Sequence, residues 1–155
     1  MIIILEGVDG SGKTTAANAL SQKYNLDIIH NGPLLELDSE SLFEHYAHQI
    51  LKFDNVVIDR SWSSELIYSK CYRNTQSRIT FEQESELYRL CLDKDVKLIY
   101  CHTSFSNIEK SYLNRQSEEY VSKLEKIKNI YEEYNNKLKN WKAFDYEKQS
   151  IFECI

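Results

Sequence analysis

The residues with the clearest chemistry are Glu6-Gly7-Val8-Asp9-Gly10-Ser11-Gly12-Lys13-Thr14-Thr15. Gly7, Gly12, Lys13 and Thr14 have the spacing of a loop whose backbone amides line a concavity, with a lysine reaching in and a hydroxyl following. Such a loop cradles a polyphosphate: the amides and the positive end of the next helix face the anion, Lys13 reaches the β- and γ-phosphates, and Thr14 offers its hydroxyl to Mg²⁺. Gly10, Ser11 and Thr15 complete the cradle. Ordinary residue frequencies give roughly a half-percent chance of one such match in a chain this long. Three of the four glycines fall in this stretch, where positive φ and close approach of the backbone to a ligand are required.

A second candidate is Asp59-Arg60, an acid and a base that close the apolar run Val56-Val57-Ile58. In an open α/β sheet, ligands bind at the carboxyl ends of the strands. Both motifs therefore belong on one edge of one sheet.

The elements that must position these residues are legible from periodicity. Ile2 to Leu5 is apolar at every position, which predicts a central parallel strand covered on both faces. A helix from Thr14 to Tyr24 follows, then a short strand from Leu26 to His30 that stops at the turn Asn31-Gly32-Pro33. Asp38 or Ser39 caps a helix from about Ser41 to Lys52. Asn55 to Arg60 is the third strand, with a helix after it from Ser63 to about Tyr72. Thr80-Phe81-Glu82-Gln83 has the form of a capping box and starts a helix to Asp93. Val96 to Cys101 is the fourth strand, and a short helix leads from it toward Arg115. Tyr120, Leu124, Ile127, Tyr131, Tyr134 and Leu138 form one helical stripe, read as a helix packed on its own sheet. Trp141 to Tyr146 is a fifth strand, and Ser150 to Ile155 a last helical turn. Alternating strands and helices predict a three-layer α/β/α fold around a five-stranded parallel sheet, with right-handed crossovers.

The 155 residues suit one domain, residues 1–155, large enough to bury roughly 68–70% of its unfolded surface. A net charge of −5 argues against a broad nucleic-acid-binding face. Cys71, Cys91, Cys101 and Cys154 lack metal-ligand spacing and read as free thiols. The apolar run at the N-terminus is four residues long, unlike a signal peptide, and no stretch is apolar for long enough to span a bilayer. The expectation is a soluble, cytoplasmic protein without a membrane partner.

The first motif, together with Asp59-Arg60-Ser61-Trp62-Ser63-Ser64-Glu65-Leu66-Ile67-Tyr68, resembles the thymidylate kinase branch of P-loop kinases, in a small, phage-type form. Asn114-Arg115-Gln116-Ser117-Glu118-Glu119-Tyr120 resembles its lid, shortened here to about residues 114–120. The resemblance implies an ATP- and Mg²⁺-dependent phosphotransferase acting on a nucleotide or nucleoside, with a homodimer common among relatives. It places Asp9 on the acceptor sugar, and Arg60 on the acceptor phosphate or the moving phosphoryl group. Asp59 serves as metal ligand or base, Arg115 approaches the transition state as the lid closes, and Ser64 and Tyr68 face the acceptor. Phe43 corresponds to the aromatic that stacks on the base. Arg73, with Lys70 and Arg78, either supplies cations for an acceptor phosphate or is a solvated helix-end charge.

Two departures leave the base open: Ser69 stands where relatives often carry Gln, and Ala47 where they place an arginine. Three acceptors fit the resemblance: a (deoxy)nucleoside monophosphate first, a deoxynucleoside second, and a hydroxymethylpyrimidine within DNA third. A nucleotide-binding switch without transfer does not require Asp59-Arg60 facing the loop. Tyr146 to Lys148, after the fifth strand, lies where such kinases hold adenine.

Overall fold

A computed structural model of the chain describes residues 1–114 and 123–155. Five parallel strands form one sheet: β1 (Ile2–Glu6), β2 (Asp27–His30), β3 (Val56–Asp59), β4 (Lys97–Cys101) and β5 (Lys142–Phe144), in the order β2-β3-β1-β4-β5. The uniformly apolar β1 is the central strand, buried at every position. Its alternate side chains serve different cores, as the two-residue repeat of a strand requires. Ile2 and Ile4 join one cluster, and Ile3 and Leu5 the other.

The first core lies under α2 (Ser39–Lys52), α3 (Trp62–Tyr68), α4 (Phe81–Asp93), α5 (Phe105–Leu113) and α6 (Leu124–Lys137). The second lies under α1 (Lys13–Tyr24) and a 3₁₀ turn, Ile151–Cys154. Helices on both faces complete the three layers. Ile127, Tyr134 and Leu138 of the expected stripe are buried in the first core, so α6 packs on its own sheet. Residues 115–120 of the lid segment, and with them Tyr120 of that stripe, lie outside the described residues.

Strand β5 is shorter than the expected Trp141 to Tyr146, and two of the other boundaries that differ from the sequence reading flank the site. The helix after β3 ends at Tyr68 and continues as a π-helical turn, Ser69–Arg73, closed by Asn74 in the left-handed region at φ 52°. Strand β3 stops at Asp59, because Arg60 turns out of the sheet at φ 78°. The capping box is present: the Gln83 amide donates to Thr80 Oγ1 at 3.2 Å, and the Thr80 amide to Gln83 Oε1 at 2.9 Å. Thr80→Ala should therefore cost about 1 kcal/mol of stability, read from the midpoint of urea unfolding at unchanged slope.

Candidate active site

Strands β1 and β3 are hydrogen-bonded neighbours, with Leu5 opposite Asp59. The loop after β1 and the pair at the end of β3 consequently emerge side by side. Helix α1 begins at Gly12, φ 86°, without a side-chain cap. Its first amides are thus left for an anion. Gly7, at φ 148°, passes so close to β4 that a Cβ would stand 2.4 Å from the Cys101 carbonyl oxygen. Gly7→Ala should disrupt this loop, lowering the thermal midpoint and weakening nucleotide binding together. Loss of neither would show that the close approach is dispensable.

Lys13 is buried, and Nζ donates to the carbonyls of Gly7 at 2.7 Å and Val8 at 3.1 Å. Burial lowers its pKa, and the nearby Arg60 charge adds to the effect, against Asp9 and Asp59. A bound anion would relieve both costs. Among the described residues four buried side-chain polar atoms lack a partner, and two of them, Ser11 Oγ and Asp59 Oδ1, belong to the predicted site. Buried polar groups in folded proteins usually have a protein, water or ligand partner. The other carboxylate oxygen of Asp59 lies 3.0 Å from His30 Nδ1. Thr14 and Thr15 are exposed on the first turn of α1.

Arg60 is the hub of the site. Nη2 donates to Asp9, and Nη1 donates to Ser64 Oγ at 3.2 Å and to Tyr134 OH at 3.5 Å. The guanidinium stands over the Tyr68 ring, 5.4 Å from its centroid. Burial, the largest single influence, works against its charge. Tyr134, Tyr68, Asp9 and Glu6 outweigh it, so the pKa is raised and Arg60 stays cationic. Left-handed backbone is uncommon for a side chain of this size. Here it is held from two sides: the Arg60 amide donates to the Leu5 carbonyl at 3.0 Å, and Asn31 Nδ2 donates to the Arg60 carbonyl at 2.8 Å. Asn31 is itself fixed, its Oδ1 accepting from Gln49 Nε2 at 2.9 Å and lying 3.1 Å from His45 Nε2.

A cavity of about 260 Å³ opens beside Arg60, lined by Asp9, Asn31, Gly32, Pro33, Tyr46, Ser64, Glu65, Tyr68 and Arg73. Asp9, Arg60, Ser64, Tyr68 and Arg73 are thus brought together. Phe43 is not among the lining residues; it packs partly buried against the first core, and Tyr46, one turn on, faces the cavity. Helix azimuth, set by which stripe meets the sheet, decides between two aromatics three residues apart. Arg115 lies outside the described residues.

Arg73 and Arg78 are not solvated charges. Arg73 Nη2 donates to Glu65 Oε2 at 2.5 Å, and Arg78 donates to the same carboxylate through Nη2 at 2.7 Å and Nε at 3.2 Å. Arg78 also ties the loop after β2 in place, donating to the carbonyls of Leu34 at 2.6 Å and Leu37 at 2.7 Å. Burial favours protonation of Glu65, but the hydrogen bonds from Arg78 and Arg73 prevail and hold it below the usual carboxylate range. Arg73 keeps one edge toward the cavity while Arg78 acts as a strut.

A second cavity, also about 260 Å³, lies against the same loop and is lined by Gly10, Gly12, Thr15, Ala16, Ala19, Phe144, Tyr146 and Ile151. Ala16, Phe144 and Ile151 belong to the second core, whereas Tyr46 and Tyr68 of the first cavity belong with the first. The two cavities therefore sit on opposite faces of the sheet with the loop between them.

Glu6 was missed by sequence reasoning. It is fully buried at the end of β1 and binds both Ser61 and Ser64 of the turn into α3. The signal available was an acid closing an otherwise wholly apolar strand. Tyr134 carried no signal beyond its place in a helical stripe.

No protein-family model matches the chain, and no curated protein matches it either. Among solved structures, the YorR protein from Bacillus subtilis in complex with phosphorylated GDP aligns with a TM-score of 0.82 at 31% identity, covering 99% of this chain and 90% of that one. A deoxyadenosine kinase from M. mycoides, with dCMP and dCDP bound, gives 0.62 at 15% identity, covering 99% and 94%. A gluconokinase from Sinorhizobium meliloti gives 0.58 at 14%, covering 98% and 85%. The last two show a shared fold. The identity and coverage with YorR, on a sheet whose carboxyl edge joins an uncapped glycine-led helix to a partly buried arginine, show more than that: this chain belongs to the family of the YorR protein.

Proposed function

We propose that residues 1–155 form one kinase domain that transfers a phosphoryl group from ATP to a (deoxy)nucleoside monophosphate, after the manner of the thymidylate kinase-like branch. The observation that carries this reading is the pair of cavities on opposite faces of the sheet with the phosphate loop between them. A switch needs one nucleotide site, whereas a transferase needs a donor and an acceptor site meeting at the phosphates. Tyr146 and Phe144 would take the donor base, and the loop its phosphates. The Arg60 cavity would take the acceptor, whose sugar hydroxyl Asp9 meets once released from Arg60, with Arg60 and Arg73 supplying the cations that a monophosphate needs. Arg115, on a lid near residues 114–120, would close over the transition state and exclude water.

The residues present fit Mg²⁺. Asp59 Oδ1 is buried without a partner and Thr14 offers an exposed hydroxyl. No cage of three or more His, Cys, Asp or Glu side chains occurs among the described residues, which suits an ion carried mainly by nucleotide phosphates and water. Held by Asp59 and Thr14, it would supply positive charge against the negative charge of the donor phosphates. Lys13 holds the γ-phosphate, and Arg60 stabilises the charge on the group in transit.

A second reading, a deoxynucleoside kinase, draws on the same unpartnered oxygen of Asp59, which could accept the proton of a sugar hydroxyl. An ADP-release assay separates the readings: Mg-ATP against deoxynucleosides, their monophosphates, and duplex DNA with normal or hydroxymethylated pyrimidines. Guanine nucleotides come first in that panel, because YorR was captured with phosphorylated GDP. Turnover with monophosphates alone is expected. Turnover with none of the panel would overturn the kinase reading.

A further inference from the structure

Glu6 has no part in the transfer scheme, yet its carboxylate gathers five donors. Oε1 accepts from the Ser61 amide at 2.7 Å, the Ser61 hydroxyl at 2.8 Å and the Ser64 amide at 3.0 Å. Oε2 accepts from the Ser64 hydroxyl at 2.8 Å and the Tyr134 hydroxyl at 3.0 Å. No cation touches it directly among the described residues, and a buried charge in that position persists only when its lone pairs are filled, as they are here.

The polarity of the network follows from the acid. An ionised carboxylate only accepts, so the hydroxyl protons of Ser64 and Tyr134 are drawn toward Glu6. The oxygens, 2.8 Å apart, then turn their lone pairs to Arg60 Nη1, at 3.2 Å and 3.5 Å. A buried negative charge thus meets a partly buried positive charge through two hydroxyls. On its other side Arg60 is paired with Asp9, whose side chain is 46% exposed. Arg60 therefore has one counter-ion that an incoming phosphate can displace and one that it cannot.

Resting on the assignment of Arg60 to the transferred phosphoryl group, we propose that Glu6 is a positioning residue: through Ser64 and Tyr134 it holds the Arg60 guanidinium in its transfer orientation after Asp9 lets go. Tyr134, fully buried and stacked on Tyr100 with ring centroids 6.1 Å apart, ties α6 to the site through its contacts with Ser64, Glu6 and Arg60. Glu6 and Tyr134 act on catalysis only through Arg60.

Two variants test this. Tyr134→Phe keeps the stack and removes one oxygen. Glu6→Gln keeps the shape but directs an amide toward the hydroxyls, reversing their polarity so that their protons face Arg60. Both are read by the ¹⁵Nη signals of the Arg60 guanidinium, assigned with Arg60→Lys, and by kcat and acceptor KM. In the wild type those signals should be resolved, with rotation of the guanidinium hindered. In Tyr134→Phe they should broaden or average, with kcat down roughly tenfold and KM changed by less than about twofold. Glu6→Gln should lose more. Arg60 signals or a kcat that both variants leave unchanged, with only the thermal midpoint lowered, would make the network structural and overturn the proposal. Should Glu6→Gln not fold, Tyr134→Phe decides alone. If the wild type phosphorylates nothing, the kinase reading fails by itself, and the guanidinium signals still report whether Glu6 and Tyr134 hold Arg60.

Discussion

Lys13→Ala is expected to abolish measurable phosphoryl transfer, a loss of at least about a hundredfold to a thousandfold in turnover, while circular dichroism and the unfolding midpoint stay close to the wild type. The reason lies in where the ammonium sits. Nζ is tethered to the Gly7 and Val8 carbonyls at the floor of the loop, desolvated and next to the Arg60 charge, both of which lower its pKa. Without an anion this is an unfavourable place for a cation, so removing it costs the fold little. With a triphosphate in the loop the same cation faces charge that builds up during transfer, in a site where water does not screen it. An ADP-release assay at saturating Mg-ATP and acceptor measures the loss. Unchanged turnover would show that the loop binds phosphate without taking part in transfer.

Arg60→Ala should lower kcat by roughly two to four orders of magnitude, the range that charge clamps on a phosphoryl group reach. Arg60 is kept cationic by its tyrosine and acid neighbours despite burial. Its backbone is held at φ 78° by the Leu5 carbonyl and the Asn31 amide, so the guanidinium starts from a pre-organised position. Alanine also frees Asp9 and leaves Ser64 and Tyr134 facing an empty site, which separates this variant from Tyr134→Phe. A rise in acceptor KM with kcat unchanged would reassign Arg60 to ground-state binding of the acceptor phosphate. Arg60→Lys should recover little, because a point charge cannot reach Asp9, Ser64 and Tyr134 together.

Much of the fold was legible because its signals are local. Four apolar residues in a row, a glycine-spaced loop and a helix after it require no knowledge of distant chain, and together they located β1, the cradle and α1. The capping box at Thr80 and the turn at Asn31-Gly32-Pro33 are equally self-contained. Parallel strands with helical crossovers then place the ends of β1 and β3 on one edge, so the meeting of Asp9 with Arg60 was foreseeable in outline.

What the sequence by itself determined, then, is the layered sheet, the phosphate loop and the presence of an acid and an arginine beside it. Tertiary structure alone decided which partners those groups keep. Glu6 and Tyr134 are 128 residues apart, and no periodicity brings them together. Their contact depends on the rotation of α6 about its axis and on the depth at which it packs. The same is true of Tyr46 facing the cavity where Phe43 was expected, and of Arg73 and Arg78 converging on Glu65 rather than on solvent. Local pattern sets what each segment becomes, because propensity and burial act over a few residues. The network around Arg60 exists only once the whole core has closed, since its distances are set by packing against every other element.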